Sequence, residues 1–173
     1  MADTDNAYLD LYITGLRNAH AVEKQALSIM TPQVERLENY PEVEARLRAH
    51  IDETHGQIAR LEEVLAGFET SHSALKDMAL SMSGGMAAIT HSIAGDEILK
   101  NSFANYAFEH FEIAAYSSLL TLADDFGFAG GTALRQSLGE EQAMAEWIEQ
   151  SLPQVTRRYA ELYANEGQLA AKV

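Results

Sequence analysis

Five glutamates, Glu23, Glu53, Glu109, Glu112 and Glu141, fall inside helical patterns, on or beside the apolar stripe that should be buried. A buried carboxylate is costly unless it is paired, protonated or bound to a cation. Five of them, with few basic residues nearby in sequence, imply metal. His20-x-x-Glu23 and His50-x-x-Glu53 each add an imidazole three residues before an acid, on the same helical face. Carboxylate oxygen combined with imidazole nitrogen suits hard or borderline divalent cations such as iron(II) and manganese(II). Glu109 and Glu112, three apart, can both reach one pair of metals. His110 follows Glu109 directly and points about 100° away around the helix, outside the ligand set.

Each residue also has a plainer reading. Glu23 alone fits a partly exposed position. His20 and His50 fit core histidines hydrogen-bonded to carboxylates. Tyr106 and Tyr116 flank the acids on their stripe and fit packing residues with satisfied hydroxyls. The weight rests on the coincidence of helix, face and depth. Glu140, next to Glu141, turns away from the seam and reads as solvated. Glu62, Glu63, Glu146 and Glu149 read as surface charges.

Four long helices must carry these groups. The first spans about 6–39, with Leu9, Tyr12, Ile13, Leu16, Leu27, Met30, Val34 and Leu37 at alternating three and four spacing. Pro32 is placed to kink or break it. Tyr40–Pro41 makes a turn into a second helix over about 42–68, with His50, Glu53 and Gln57 along one edge of its inner side. A third covers about 96–126. Its stripe runs Leu99, Phe103, Tyr106, Glu109, Glu112, Ile113, Tyr116, Leu120 and Ala123. A fourth covers about 132–163, where Leu134, Leu138, Glu141, Ala145, Ile148 and Leu152 form a seam that Pro153 is placed to bend. Residues 69–98 form a long connection, read as a shorter helix broken at Gly84–Gly85. Met78, Met82 and Met86 there read as flexible packing, and His72 and His91 lie without partners at ligand spacing. Two short links and one long crossover make an all-α, ferritin-like four-helix bundle with an extra short helix, in one domain over 1–173.

Composition narrows the classes. The chain has 173 residues, enough for one well-buried core. Its formal charge of −14 argues against bare nucleic acid and anionic membrane as partners. With no cysteine, disulfides, thiolate zinc sites and iron–sulfur clusters are excluded. No apolar run approaches the ~20 residues that span a bilayer, and the acidic N-terminus lacks a basic leader region. A cytoplasmic location is the default expectation. Phosphate loops, Ser/His/Asp arrangements and basic-aromatic patches are absent from the sequence.

Residues 50–62, His-Ile-Asp-Glu-Thr-His-Gly-Gln-Ile-Ala-Arg-Leu-Glu, and 108–116, Phe-Glu-His-Phe-Glu-Ile-Ala-Ala-Tyr, resemble the YciE/YciF family of bacterial ferritin-like proteins. Ala21-Val22-Glu23-Lys24-Gln25 resembles that family's first-helix motif, and Leu138-Gly139-Glu140-Glu141 its last. The resemblance covers about 8–152. It implies a ferritin-like bundle, a homodimer, an association with stress responses and a di-metal centre on Glu23, Glu53, Glu109, Glu112 and Glu141. Ala145 departs from the pattern, since relatives commonly carry an acid there. The resulting expectation is two iron or manganese ions per chain, reacting with O2 or peroxide in a ferroxidase-like manner. Glu53 and Glu112 would bridge, Glu23, Glu109 and Glu141 would be terminal, and His50 would be a nitrogen ligand or a donor behind the ligands. The alternative is an interaction scaffold whose site is a relic, its carboxylates protonated or paired with His20 and His50.

Overall fold

The computed structural model describes residues 2–68 and 96–172. Helix α1 covers Ala2–Val34, α2 Pro41–Ala66, α3 Glu97–Phe126, α4 Gly131–Glu166 and α5 Gln168–Lys172. The expected short helix at 69–98 with its Met series, together with His72 and His91, lies almost wholly outside the described residues.

Contacts along each seam fix the directions. Gln33 and Asn105 exchange amide hydrogen bonds near one end of the α1/α3 seam. Tyr116 meets Glu23 near its middle, and Tyr8 stacks on Phe126 at the other end. These helices are therefore antiparallel. Gln154 bonds Glu42 and Arg60 bonds Ser137, so α2 and α4 are antiparallel as well. The short turns set α1 against α2 and α3 against α4. It follows that α2 runs parallel to α3, and the end of one and the start of the other lie at opposite ends of the bundle. A bundle with one long crossover has this arrangement.

Apolar burial falls into layers. Tyr12, Leu16, Ala19, Leu61, Leu65, Tyr116, Leu119, Leu120, Ala123 and Leu134 pack together at the α3–α4 turn end. Val22, Ala26, Met30, Val34, Leu47, Phe108, Met144 and Ile148 form a second cluster. Each fully buried leucine contributes about 1.5–3 kcal/mol relative to exposure, so these layers carry the fold. On every helix the site residues sit between the two.

The ends are closed by specific contacts. Gly130 has φ 105, and a Cβ there would meet Val64 Cγ1 at 2.7 Å, so only glycine fits the α3–α4 turn against α2. Tyr12 donates to the Ala129 carbonyl at 2.7 Å and staples the same turn to α1. At the far end α5 docks on the α1–α2 turn. Tyr40 donates to the Ala171 carbonyl at 2.6 Å and Asn39 to that of Ala170 at 3.0 Å. Tyr40, Ile98, Val155, Leu162 and Ala171 form the small core beneath it.

Several details differ from the sequence reading. Helix α1 continues through Pro32 and ends at Val34, five residues before Asn39. Pro32 forfeits the bond its N–H would make to the Ser28 carbonyl, and the helix ends two residues later. Helix α4 continues through Pro153 to Glu166, and α5 was not expected. Phe103 is exposed at 53%, because the buried line of α3 runs through Ile98, Asn105, Phe108 and Glu109 instead. Glu140 is ion-paired with Arg60 and takes a 3.0 Å hydrogen bond from Gln136, where a solvated group was expected. Glu62 Oε1 accepts from His20 Nε2 at 3.0 Å and is only half-exposed, where a surface charge was expected.

Candidate metal centre

Glu23 of α1, His50 of α2, Glu109 and Glu112 of α3 and Glu141 of α4 are each 2% exposed or less. All four helices of the bundle thus send a polar group into one layer. The helical period explains the convergence. Tyr12, Leu16, Ala19, Glu23, Ala26 and Met30 are one buried line, and Leu47, His50, Thr54, Gln57, Leu61 and Leu65 are another. A titratable group occupies the level of the layer on each line.

His50 organises one side. Its Nε2 lies 3.1 Å from Glu109 Oε2 and 3.5 Å from Glu141 Oε2. His50, Glu109 and Glu141 offer ligand atoms that all lie within 4.8 Å of one another. The other ring nitrogen, Nδ1, is 2.8 Å from Glu53 Oε2. Arg46 also donates to that oxygen, at 3.0 Å. Glu53 is therefore at the rim, with a side chain 33% exposed, behind the ring of His50. Gln57, fully buried, donates through Nε2 to Glu141 Oε1.

Glu23 organises the other side. Tyr116, 1% exposed, donates to Glu23 Oε1 at 2.5 Å. Glu112 is close enough to Glu23, Glu141 and Glu109 for mutual repulsion to be felt. His20 is not part of this group, since its Nε2 lies 3.0 Å from Glu62. His110 is exposed and packs edge-on against Tyr106.

Three carboxylate oxygens in the layer, Glu23 Oε2 and both oxygens of Glu112, have no partner, and Glu109 Oε2 and Glu141 Oε2 have only the ion pair with His50 Nε2. Leaving such acceptors buried and unsatisfied costs about 1–3 kcal/mol each, more when charged. Protonation answers that cost where no cation is bound. Burial, then Glu141, pushes the Glu23 carboxyl up to about 8, against the pull of Tyr116 and His50. Burial, then Glu23, Glu141 and Glu109, pushes Glu112 well above the carboxylate range. Burial pushes Glu141 up to about 7 despite His50. For His50, burial alone would favour the neutral ring, but Glu109, Glu141 and Glu53 outweigh it and raise it to about 12. Glu53 moves the other way, held low chiefly by His50 and also by Arg46. Burial and Glu23 push the Tyr116 phenol up, so it stays a donor.

The donor set fits a divalent cation. Carboxylate oxygens that have no partner or only His50 converge from three helices, and the one imidazole nitrogen faces them. Behind them stand residues that the sequence reading left out or left without a role: Gln57 on Glu141, Arg46 on Glu53, and Arg60 and Ser137 near Tyr116. Ser137 is 1% exposed and lies one turn before Glu141 on α4. A serine at that spacing on a buried line is a readable signal. Arg46 and Arg60 lie on the outer edge of α2, and periodicity does not single them out.

Known proteins match this chain over most of its length. A family described as a domain of unknown function, DUF892, matches residues 8–161. Protein YciF of Escherichia coli K12 is 30% identical over 142 residues, covering 78% of this chain and 83% of its own. A solved protein from Xanthomonas campestris pv. campestris superposes with a TM-score of 0.73 at 28% identity, covering 89% of this chain and 96% of that one. The crystal structure of the E. coli stress protein YciF superposes with a TM-score of 0.66 at 24% identity, over 84% of this chain and 94% of its own. Among the described residues, no helix is long and apolar enough to cross a membrane.

Proposed function

This chain belongs to the YciE/YciF family, and we propose that its buried carboxylate layer binds two divalent ions of the iron and manganese class. The observation that carries the proposal is the convergence of three partnerless carboxylate oxygens, on Glu23 and Glu112, with two more, on Glu109 and Glu141, that face one imidazole nitrogen. His50, Glu109 and Glu141 would hold one ion, and Glu23 the other. Glu112, with both oxygens free, would bridge. A pair of such ions, when bound in the ferrous state, supplies electrons to dioxygen or peroxide.

The protein's own residues define what surrounds that chemistry. Glu53 accepts the Nδ1 hydrogen of His50; with an ion bound, Nε2 would give up its proton and face the layer as a ligand, as a histidine backed by a carboxylate does. This arrangement departs from the expectation that Glu53 bridges: its carboxylate is engaged by Arg46 and by the far side of the ring. Gln57 holds Glu141 by one oxygen. The apolar layers above and below exclude water from the carboxylates.

The proposal extends to a homodimer and to service under stress, the latter suggested by the description of the E. coli relative as a stress protein. The rival reading, an interaction scaffold with a relic site, draws on the contact of His50 with Glu109 and Glu141, which neutralises part of the layer internally. Thermal unfolding separates the two. A ligand that binds only the folded state raises stability, by about 2.7 kcal/mol at a hundredfold excess over its Kd. Metal binding predicts a melting temperature raised by manganese(II) and lowered again by EDTA; identical curves in both favour the scaffold.

A further inference from the structure

The metal reading leaves one connected group of buried side chains unused. Arg60 lies on α2 with its side chain 19% exposed. One guanidinium nitrogen is ion-paired with Glu140 at the bundle surface, and Glu140 is steadied by Gln136. Its Nε donates inward to Ser137 Oγ at 3.1 Å. The Ser137 hydroxyl lies near enough to that of Tyr116 to counter part of the rise in its pKa, and Tyr116 donates to Glu23 Oε1. The run therefore passes from the surface, across α2, α4 and α3, to the α1 carboxylate in the polar layer.

The hydrogen inventory gives this run a direction. Arginine has donors and no acceptor, so the Ser137 hydrogen cannot return to Arg60. A serine hydroxyl has a single hydrogen, which is then available to the Tyr116 oxygen. Tyrosine also has a single hydrogen, and it is given to Glu23 Oε1. Each oxygen in the run accepts from outside and donates inward. Such chains polarise one another and strengthen the last bond.

We infer that Arg60, Ser137 and Tyr116 form a one-way chain of donors that holds Glu23 Oε1 away from the centre and presents Oε2 as the single metal-binding oxygen. Two observations support it. Glu23 Oε2 has no partner while Oε1 is taken. Glu141 shows a related division on the opposite side, with Oε1 taken by Gln57 and Oε2 turned to the layer, 3.5 Å from His50 Nε2. Glu112, which no such chain reaches, has both oxygens free. Arg60, Ser137 and Tyr116 are positioning residues: they act on the ion through Glu23. The inference rests on the metal reading and assigns to these residues the affinity of the ion on the Glu23 side.

Cobalt(II) titration of the metal-free full chain, followed by its visible d–d absorbance, tests this without any activity measurement. The wild type should bind two ions. Tyr116→Phe should bind the first ion as the wild type does, with a wild-type spectrum. Its second ion should be weaker by about 10–100-fold, the usual consequence of losing a group behind a ligand. Ser137→Ala should shift the second ion in the same direction by less. A packing role alone would lower the melting temperature and leave the second affinity unchanged. Wild-type second-ion affinity in Tyr116→Phe overturns the inference and leaves the metal reading standing; if that variant does not fold, the same result in Ser137→Ala overturns it. A wild type that binds no cobalt overturns both.

Discussion

On α1, Glu23 lies in the polar layer while His20, three residues earlier, faces Glu62 at 3.0 Å. On α2 the roles are exchanged: His50 lies in the layer, and Glu53, three residues later, faces Arg46 at the rim. The two His-x-x-Glu pairs are alike in spacing and opposite in outcome. What decides is the register of each buried line. The α1 line counts 16, 19, 23, 26 and passes through the glutamate. The α2 line counts 47, 50, 54, 57 and passes through the histidine. A spacing of three places two residues on one face, but a rotation of the helix by part of a turn determines which of them enters the polar layer; His20 is itself buried, yet turned to Glu62. The result is an unsymmetrical centre, with nitrogen on the α2 side and oxygen on the α1 side.

The sharpest way to break this comparison is to delete both histidines in turn. His50→Ala removes the cation that faces Glu109 and Glu141, and breaking a buried charge pair costs about 3–5 kcal/mol. It also removes the nitrogen ligand. His20→Ala releases Glu62, which is 42% exposed and can be hydrated, so the cost is about 1 kcal/mol and metal stoichiometry is unchanged. Denaturant unfolding of the metal-free variants measures both. Equal losses would show that the two histidines are equivalent core residues.

The acids should divide in the opposite sense. Glu23→Gln should remove one of two ions, whereas Glu53→Gln should keep both and weaken the ion at His50 by about 10–100-fold. Equilibrium dialysis with manganese(II) reads the difference. Loss of both ions in Glu53→Gln would return Glu53 to the bridging role expected from the sequence.

The pH dependence of the metal-free protein follows from the layer. Glu23 and Glu141 keep their protons up to about 8 and about 7 when folded, against 4.5 as their ordinary value. Between these limits the folded chain binds more protons than the unfolded chain, so stability falls as pH rises. His50, raised from 6.5 to about 12, adds a loss of the same sign above 6.5. Glu53, held low, loses its contribution only as pH falls below the carboxylate range. The metal-free melting temperature should therefore be higher at about pH 5.5 than at about pH 8, and manganese(II) should raise it more at the higher pH, where fewer protons compete. A metal-free protein that gains stability across that interval would contradict the assignment.

The smallest effect belongs to the outer partner of His20. Glu62→Gln should change stability by about 0.5 kcal/mol and leave metal binding intact, as expected of a half-exposed pair.

The helices are legible because their stripes are long, although the N-caps of α2, α3 and α4 make no side-chain capping bond, and the layer is legible because glutamates interrupt those stripes. Glu23, Glu109, Glu112, Glu141 and His50 do come together. Periodicity does not supply rotation to within a residue, so it sets Glu53 and Phe103 too deep and does not single out Ser137 and Thr54. Long-range partners were equally hidden: Arg60 reaches Glu140 across two helices, and no local pattern announces it. The α5 contact with Tyr40 depends on residues about 130 positions apart, an association that only the folded bundle creates.

Anaerobic titration of the metal-free chain with iron(II), followed by admission of air and near-ultraviolet absorbance, tests the central claim most directly. The account predicts saturation at about two irons per chain, as in carboxylate bundles of this type, with an oxygen-dependent rise in absorbance. Iron that never saturates, or binds no more tightly than to a His50→Ala variant, would contradict it.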